Sequence, residues 1–231
     1  MTKNILIIGG NSDIGLEINN LAKAEGHSVY GTSRDEAISS NYDNFIHLDP
    51  NQNLDALDNI PEDIHGLVYC PGTINLKSLQ RLTLDDVKAE MEVNFYGAFN
   101  VIKKVLPNLK KNDGASVVLF STVAANTGMP MHSSIAASKS ALEGFAISLA
   151  AELAPRVAIN CVAPSIVDTK LASHILSTDE RKEASAQRHP LKSIGSAKLV
   201  AQTAFHLLSA KDNWITGQVI AVDGGLSSLK T

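Results

Sequence analysis

The first residues that could bind a ligand are the small ones near the start of the chain. The run Gly9-Gly10-Asn11-Ser12-Asp13-Ile14-Gly15 follows an apolar stretch, NILIIG, and leads directly into a helical pattern. At such a strand-to-helix turn, backbone N–H groups can approach a pyrophosphate where no Cβ atom stands in the way. Gly9 permits the tight turn, and Gly15 permits close packing of the helix on the strand. The Asp13 carboxylate can instead cap the helix. We therefore expect a dinucleotide to be bound by Gly9, Asn11, Ser12, Asp13, Ile14 and Gly15.

The rest of the chain alternates short apolar runs with helical patterns, and this alternation predicts the fold. The apolar runs are NILIIG, SVYGTS, FIHL, GLVYC, SVVLFS and GQVIAVDGG. They are continuously apolar, which is typical of parallel strands covered by helices on both faces. We therefore predict an α/β fold, in which residues 1–231 form a single Rossmann-like domain with a doubly wound parallel sheet.

Composition and charge limit the classes of partner. Of the 231 residues, 44% are hydrophobic and 19% are charged, which is enough for one substantial core. The formal net charge is −4, and no cluster of Lys and Arg indicates a nucleic-acid or membrane surface. The first apolar run is too short for a signal sequence or a membrane span, so we expect a cytoplasmic protein that acts on a small molecule. Cys70 and Cys161 lie in apolar runs without metal-ligand spacing, and we expect buried thiols and no metal.

Six motifs that occur in order along the chain point to one family. Besides the glycine run, they are Asp49, Tyr69 to Gly72, Asn94 in VNFYGA, Asn160 to Thr169, and ITGQVIAVDGG. The whole pattern resembles the classical, single-domain short-chain dehydrogenases/reductases, and the resemblance covers nearly the whole chain. The chain departs from the family pattern in several places: Ile8 and Asp13 replace a threonine and a glycine of TGxxxGIG, only the last glycine of NNAG is kept, and Ser165 replaces the glycine after Pro164.

The resemblance also implies a nicotinamide dinucleotide cofactor and several residues that hold it. Asp49 matches the family aspartate that bonds the adenine amino group. Further cofactor contacts are implied for the residues that match the family's NNAG and NxVxPGxxxT segments, namely Pro71, Gly72, Pro164 and Thr169. The resemblance also implies that Lys139, which matches the family's active-site lysine, grips the nicotinamide ribose.

The end of the second predicted strand, VYGTSRD, bears on the choice between NADP and NAD. A carboxylate there accepts hydrogen bonds from the ribose hydroxyls and repels a 2′-phosphate, whereas an arginine pairs with that phosphate. Ser33 stands at the position of the NAD-selective aspartate, and Arg34 stands at the position of the NADP-selective arginine. We therefore predict NADP(H) rather than NAD. The alternative is that Arg34 is an ordinary solvated charge, and Asp35 beside it favours that interpretation.

Around the nicotinamide, the family arranges a serine, a tyrosine and a lysine. Lys139 matches the lysine, and Asn94 matches the asparagine that opens a helix kink and holds a water. Thr122 falls on the serine position, with Ser121 beside it as a second candidate. Ile135 stands in place of the tyrosine. A carbonyl accepts a hydride only if a nearby O–H or N–H protonates or holds the developing alkoxide, so catalysis here requires another donor.

We predict that His132 is this donor. On the presumed helix His132 precedes Lys139 by seven residues, nearly two turns, and so lies close to the same face. The enoyl-acyl-carrier-protein reductases, a branch of the same family, have this longer spacing between their tyrosine and lysine. An imidazole, with an ordinary pKa of about 6.5, donates a proton near neutral pH. The alternatives are that His132 is a surface residue or a cap partner, that Tyr69 packs near the ribose, and that Ser134 is a helix N-cap.

Two classes of function remain open. The first is an NADP(H)-dependent oxidoreductase that reduces a carbonyl or an activated double bond of a small organic molecule. The second is a catalytically silent NADP(H)-binding protein that acts as a sensor or as a partner subunit. The presence of Lys139 and Asn94 favours the enzyme.

Two further expectations concern a lid and an assembly. The polar segment of residues 165–195 is expected to cover the ligand, and the residues expected to line the pocket from it are Leu171, His174, Ile175, Leu176 and His189. The helices near residues 92–111 and 133–153 carry apolar residues on several faces, as does the pairing surface of the family. We therefore expect a homo-oligomer, a tetramer or a dimer.

Overall fold

In the computed structural model, which describes residues 2–209 and 214–230, a parallel sheet lies between two layers of helices. The strands are β1 (Asn4–Ile8), β2 (Ser28–Ser33), β3 (Asn44–His47), β4 (Gly66–Tyr69), β5 (Ala115–Phe120), β6 (Val157–Pro164), β7 (Val167–Asp168), β8 (Gly195–Ser196) and β9 (Val219–Val222). The helices are α1 (Asp13–Ala24), α2 (Leu84–Met91), α3 (Gly97–Leu109), α4 (Ser133–Leu153), α5 (Asp179–Gln187) and α6 (Ala197–Ser209).

The central sheet has the strand order β3-β2-β1-β4-β5-β6-β9, and each neighbouring pair is parallel. The short strands β7 and β8 pair separately. Helices cover both faces of the sheet, which explains why strands such as β5 are buried along their whole length. One half of the core lies under α3 and α4, and the other half lies under α1 and α6. The predicted doubly wound α/β fold is therefore confirmed.

The strand order places a crevice where ligands bind in such folds. β1 lies between β2 and β4, so the connections leave it toward opposite sides of the sheet. The loops that follow the carboxyl ends of β1 and β4 diverge at this point, which is the usual binding position in an open parallel sheet. The glycine run follows β1, and Cys70 to Gly72 follow β4. The topology thus brings two of the sequence motifs to one edge.

The starts of two helices differ from the sequence-based expectation. Ser12 is the N-cap of α1, because its Oγ accepts a hydrogen bond from the Gly15 N–H at 3.0 Å. Helix α4 begins at Ser133, after a turn in which Met131 has a φ of 65°. This turn starts the helix two residues earlier than expected and places Ser134 inside the first turn, where it is buried. The predicted N-cap roles of Asp13 and Ser134 are therefore wrong.

A π-helical turn over Glu92–Tyr96 connects α2 to α3 and contains Asn94. Such turns widen a helix locally and are frequent at functional sites.

The helices in the described part of the chain include none that is long and apolar enough to cross a membrane.

Candidate functional site

A cavity of about 290 Å³ opens where the strands of the central sheet end. Predicted site residues that line it are Asn11, Ser12, Asp13, Ile14, Gly72, Thr122, His132, Lys139, Pro164 and Thr169. Predicted site residues outside its wall are Gly9, Gly15, Ser33, Arg34, Asp49, Pro71 and Asn94. The structure therefore brings the middle of the glycine run together with the predicted catalytic lysine and threonine in one space.

The glycine run forms a tight loop that leaves the start of α1 open. Gly9 has a φ of +71°, a conformation that suits glycine, and a Cβ there would lie 3.0 Å from ring carbons of Pro71. A Cβ on Gly15 would lie 2.8 Å from the Oγ of Ser12. That Oγ also donates to the Gly9 carbonyl at 2.9 Å. The closed loop allows the first N–H groups of the helix, with its positive dipole end, to face an anion.

Asp13 joins this loop to the segment that follows β6. Its Oδ2 accepts a hydrogen bond from the Lys170 N–H at 2.6 Å, although the two residues are 157 positions apart. The carboxylate therefore links the segment of residues 165–195, the expected lid, to the glycine loop. Sequence spacing carries no signal for a contact over such a distance.

The end of β2 has no carboxylate at the position that would face a ribose. Ser33 is buried there, and its Oγ accepts a hydrogen bond from the Asp35 N–H at 2.9 Å. The Arg34 side chain is exposed, while its carbonyl accepts a hydrogen bond from Nε2 of His47 at 3.1 Å. An exposed guanidinium next to a small hydroxyl residue suits a phosphate better than a pair of hydroxyls.

Two residues considered for the site are engaged elsewhere. The carboxylate of Asp49 accepts hydrogen bonds from the Asn51 N–H at 3.0 Å and from Nε2 of Gln52 at 3.1 Å, so it holds the turn after β3. Tyr69 is 1% exposed, and its hydroxyl donates to the Val93 carbonyl at 2.7 Å. Its side chain points to the core beneath α3 because strand residues alternate between faces. The suggestion that Tyr69 packs near a ribose is therefore wrong.

Lys139 is the buried cation of the site. Its Nζ donates to the Phe120 carbonyl at 2.7 Å at the end of β5. Burial lowers the pKa of Lys139 to about 8. A Cβ on Gly72 would lie 3.7 Å from this Nζ and 3.5 Å from Oδ1 of Asn94, so Gly72 lies between the two side chains.

Asn94 is held behind the cavity by a network that the sequence reasoning missed. Its Nδ2 donates to Oγ1 of Thr73 at 2.8 Å and to the carbonyl of Glu90 at 2.9 Å. Thr73 lines the cavity. The Glu90 carboxyl is buried and accepts from the Asn75 N–H at 3.1 Å, and burial raises its pKa. An acidic residue one helical turn before Asn94 was the available signal.

The two hydroxyl residues at the end of β5 have separate roles. Thr122 lines the cavity, and its Oγ1 accepts from the Ala124 N–H at 3.3 Å, which leaves its proton available to a ligand. Ser121 instead donates to Oε1 of Glu143 at 2.5 Å. Thr122 is therefore the hydroxyl that the cavity can use, and Ser121 holds the loop to α4.

Ile135 and His132 both line the cavity wall near Lys139. Ile135 is 5% exposed, so an apolar side chain fills the position of the expected acid. His132 lies just outside α4, at its N-cap position, rather than on the helix as the spacing argument assumed. Its Nδ1 donates to the Pro130 carbonyl at 2.7 Å. This bond leaves Nε2 as the nitrogen available to a ligand.

Part of the expected lid reaches the cavity. Leu171, Ile175 and His189 line it, whereas Leu176 is buried in the packing below and His174 is exposed away from the wall. The expectation for Leu176 and His174 is therefore wrong, because one side chain is directed to the core and the other to solvent.

The two cysteines carry thiols rather than thiolates. Cys161 is buried in β6, and Cys70 is half-buried at the cavity wall. Burial raises the pKa of each thiol to about 12. Within the described residues, no group of three His, Cys, Asp or Glu side chains is arranged to hold a metal ion.

Known protein sequences resemble this chain over most of its length. A family model described as Enoyl-(Acyl carrier protein) reductase matches residues 9–227. The 3-oxoacyl-acyl-carrier-protein reductase MabA of Mycobacterium tuberculosis is 30% identical over 233 residues, which cover 98% of this chain and 93% of that protein. The corresponding reductase FabG of Thermotoga maritima is 36% identical over 149 residues, 64% of this chain. That match spans 60% of the Thermotoga protein, less than two thirds of its length.

Solved structures agree with this likeness. The structure of ElxO with NADP bound superposes with a TM-score of 0.89 at 25% identity and covers 99% of this chain and 100% of that chain. The ligand-free aldohexose dehydrogenase of Thermoplasma acidophilum gives a TM-score of 0.90 at 26% identity and covers 100% and 97% of the two chains.

Proposed function

Because the chain belongs to the short-chain dehydrogenase/reductase family, we propose that it is an NADP(H)-dependent oxidoreductase. Its substrate is a small organic molecule with a carbonyl or an activated double bond. The observation that carries the proposal is that Lys139 and Thr122 share one cavity with the glycine loop, while Asn94 stands next to Lys139 across Gly72.

The residues present fit a dinucleotide. The loop at Gly9 and Gly15 has no room for a Cβ atom, and the start of α1 that it exposes suits a pyrophosphate. The exposed Arg34, beside the uncharged Ser33, suits the 2′-phosphate of NADP. Lys139 would hold the nicotinamide ribose. When bound, NADPH supplies the hydride.

The chain's own residues would stabilise the carbonyl oxygen of the substrate and supply its proton. The Thr122 hydroxyl can donate a hydrogen bond to a carbonyl oxygen, and this bond strengthens as negative charge develops there. Ile135 cannot ionise, and the Lys139 ammonium is committed to the Phe120 carbonyl and the ribose. His132 is therefore the proposed acid, with its ring fixed through Nδ1 so that Nε2 delivers the proton.

A silent NADP(H)-binding protein is the second candidate. The observation that favours it is the buried Ile135, which gives the wall an apolar side chain where the family places its acid. Such a protein would use the same loop and the same lysine, but it would turn over no carbonyl.

The experiment that separates the two candidates is a turnover assay. Purified protein is mixed with NADPH and a panel of ketones, quinones and enoyl thioesters, and the loss of reduced-nicotinamide absorbance is followed. We expect turnover with at least one class and its loss in Lys139→Ala. We also expect the wild-type rate to fall as pH rises through about 8, because the buried Lys139 then loses its charge. Tight NADPH binding without turnover of any class would support the silent protein.

A further inference from the structure

A second histidine, His189, lies at the cavity and forms a hydrogen bond with a serine hydroxyl. His189 is 3% exposed, and its Nδ1 lies 2.8 Å from the Ser185 carbonyl. Its Nε2 lies 2.9 Å from the Oγ of Ser165, which follows β6. Ser165 and His189 both line the cavity, although 24 residues separate them.

The contact of Nδ1 with a carbonyl fixes the position of one ring proton, and in the neutral ring this also sets the direction of the second hydrogen bond. A carbonyl oxygen only accepts, so Nδ1 of His189 carries a proton that it donates to Ser185. In a neutral imidazole the other nitrogen is then an acceptor, and the Ser165 hydroxyl must donate to Nε2. With its single proton committed, Ser165 has only lone pairs to offer to a ligand. The serine is therefore an acceptor site, although a serine hydroxyl by itself serves equally as donor or acceptor.

We infer that the Ser165–His189 pair selects a ligand that places a hydrogen-bond donor, and specifically a hydroxyl group, against Ser165. This inference rests on the proposed function, and it makes the substrate a hydroxy-carbonyl compound. A carboxylate or a second carbonyl at the same place would face lone pairs without a proton between them, which is unfavourable in a partly enclosed site.

Two charged groups of opposite sign stand near the pair. The Asp223 carboxylate interacts electrostatically with His189, and it accepts hydrogen bonds from the Gly225 N–H at 2.9 Å and the Ser227 N–H at 2.8 Å. Arg188, next to His189 in the chain, also lines the cavity.

The apolar residues around Ser165 favour selection between ligands with and without a hydroxyl group. Leu171, Ala172 and Ile175 line the cavity from the segment that follows Ser165. A ligand without a hydroxyl can fill such a wall, but it leaves the Ser165 lone pairs unpaired. One such unpaired polar group lowers the preference for that ligand by about 5–10-fold.

The test compares three ketones with the same six-membered ring at pH 8: cyclohexanone, 2-hydroxycyclohexanone and 2-methoxycyclohexanone. We expect kcat/KM with NADPH to favour the hydroxyketone by about 5–10-fold over the other two. Ser165→Ala should remove this preference. His189→Phe should transfer it toward the methoxyketone, because the freed Ser165 proton can then be donated to the ether oxygen. Ser173→Ala, an exposed serine of the same segment whose Oγ donates to the Lys170 carbonyl, is the matched control and should keep the wild-type preference.

A second measurement is independent of turnover. The ¹⁵N spectrum of the His189 ring should show the form with the proton on Nδ1, and the Nε2 signal should shift when 2-hydroxycyclohexanone is added with NADP⁺. Turnover with no preference for the hydroxyketone, or a preference that survives Ser165→Ala, would overturn the inference and leave the proposed function standing. Should no carbonyl be turned over, the proposed function fails, and the ring spectrum decides about the pair: a proton on Nε2, or no shift with the hydroxyketone, overturns it.

Discussion

Exchanging Ser33 for aspartate should convert the proposed preference for NADP into a preference for NAD. Ser33 is 2% exposed at the end of β2, and its Oγ accepts a hydrogen bond from the Asp35 N–H. An aspartate carboxylate can accept the same hydrogen bond, so the local turn should survive the exchange. The second carboxylate oxygen would then face the ribose position, where it repels a 2′-phosphate and accepts from free hydroxyls.

The size of the effect follows from the groups involved. A hydrogen bond to a charged group contributes about 1.5–3 kcal/mol, and Arg34 is exposed, so its pairing with a phosphate belongs at the low end of that range. Replacing an attraction of this size by repulsion should raise the Kd for NADPH by about 10–100-fold. Two new hydrogen bonds from ribose hydroxyls should lower the Kd for NADH by about 5–10-fold.

The assay is a fluorescence titration of wild type and variant with NADPH and NADH, which requires no substrate. Ser33→Asn is the matched control, because the amide keeps an acceptor for the Asp35 N–H and adds no charge. Its Kd for NADPH should stay within about threefold of wild type, the scale of one neutral hydrogen bond. The reasoning is refuted if folded Ser33→Asp binds NADPH as tightly as wild type, or if the wild-type protein itself prefers NADH.

Two further predictions concern catalysis and assembly. His132→Ala should lower turnover by about 10²–10⁴-fold with little change in NADPH affinity; full activity in this variant together with its loss in Thr122→Val would mean that solvent delivers the proton past Thr122. We also propose that the protein is a homo-oligomer, since Phe99 and Ile147 on α3 and α4 are 37% and 50% exposed. Light scattering should give the mass of two or four chains, and Phe99→Asp with Ile147→Asp should reduce it to one; a wild-type mass of one chain contradicts the proposal.

The fold was accessible from the sequence because its signals are local and repeated. Continuous apolar runs predicted buried parallel strands, and the alternation with helical patterns predicted a doubly wound sheet. The Gly9 loop was also accessible, since a tight turn without room for Cβ atoms needs glycine whatever packs around it. The expectation of a family resemblance, based on motifs in order, is confirmed by the match over residues 9–227.

The details of the site depended on which groups the fold brings together. Ser134 was expected to cap α4, but the turn at Met131 moved the start of the helix, and this shift of two residues changes which side chain meets the free N–H groups. Tyr69 was considered near a ribose, but the register of β4 turned it toward the core. Neither position can be read from residue type, because a helix start depends on the turn before it and a single-residue shift reverses the face of a strand.

The type of fold, the glycine loop and the combination of Lys139 and Thr122 without a tyrosine at position 135 could be read from the sequence. Those features follow from backbone geometry and from patterns within a few residues. The hydrogen bonds from Lys170 to Asp13 and between Ser165 and His189 are visible only in the folded molecule. A hydrogen bond between distant residues depends on distances near 3 Å that the packing of many elements fixes together, and no local pattern carries that information.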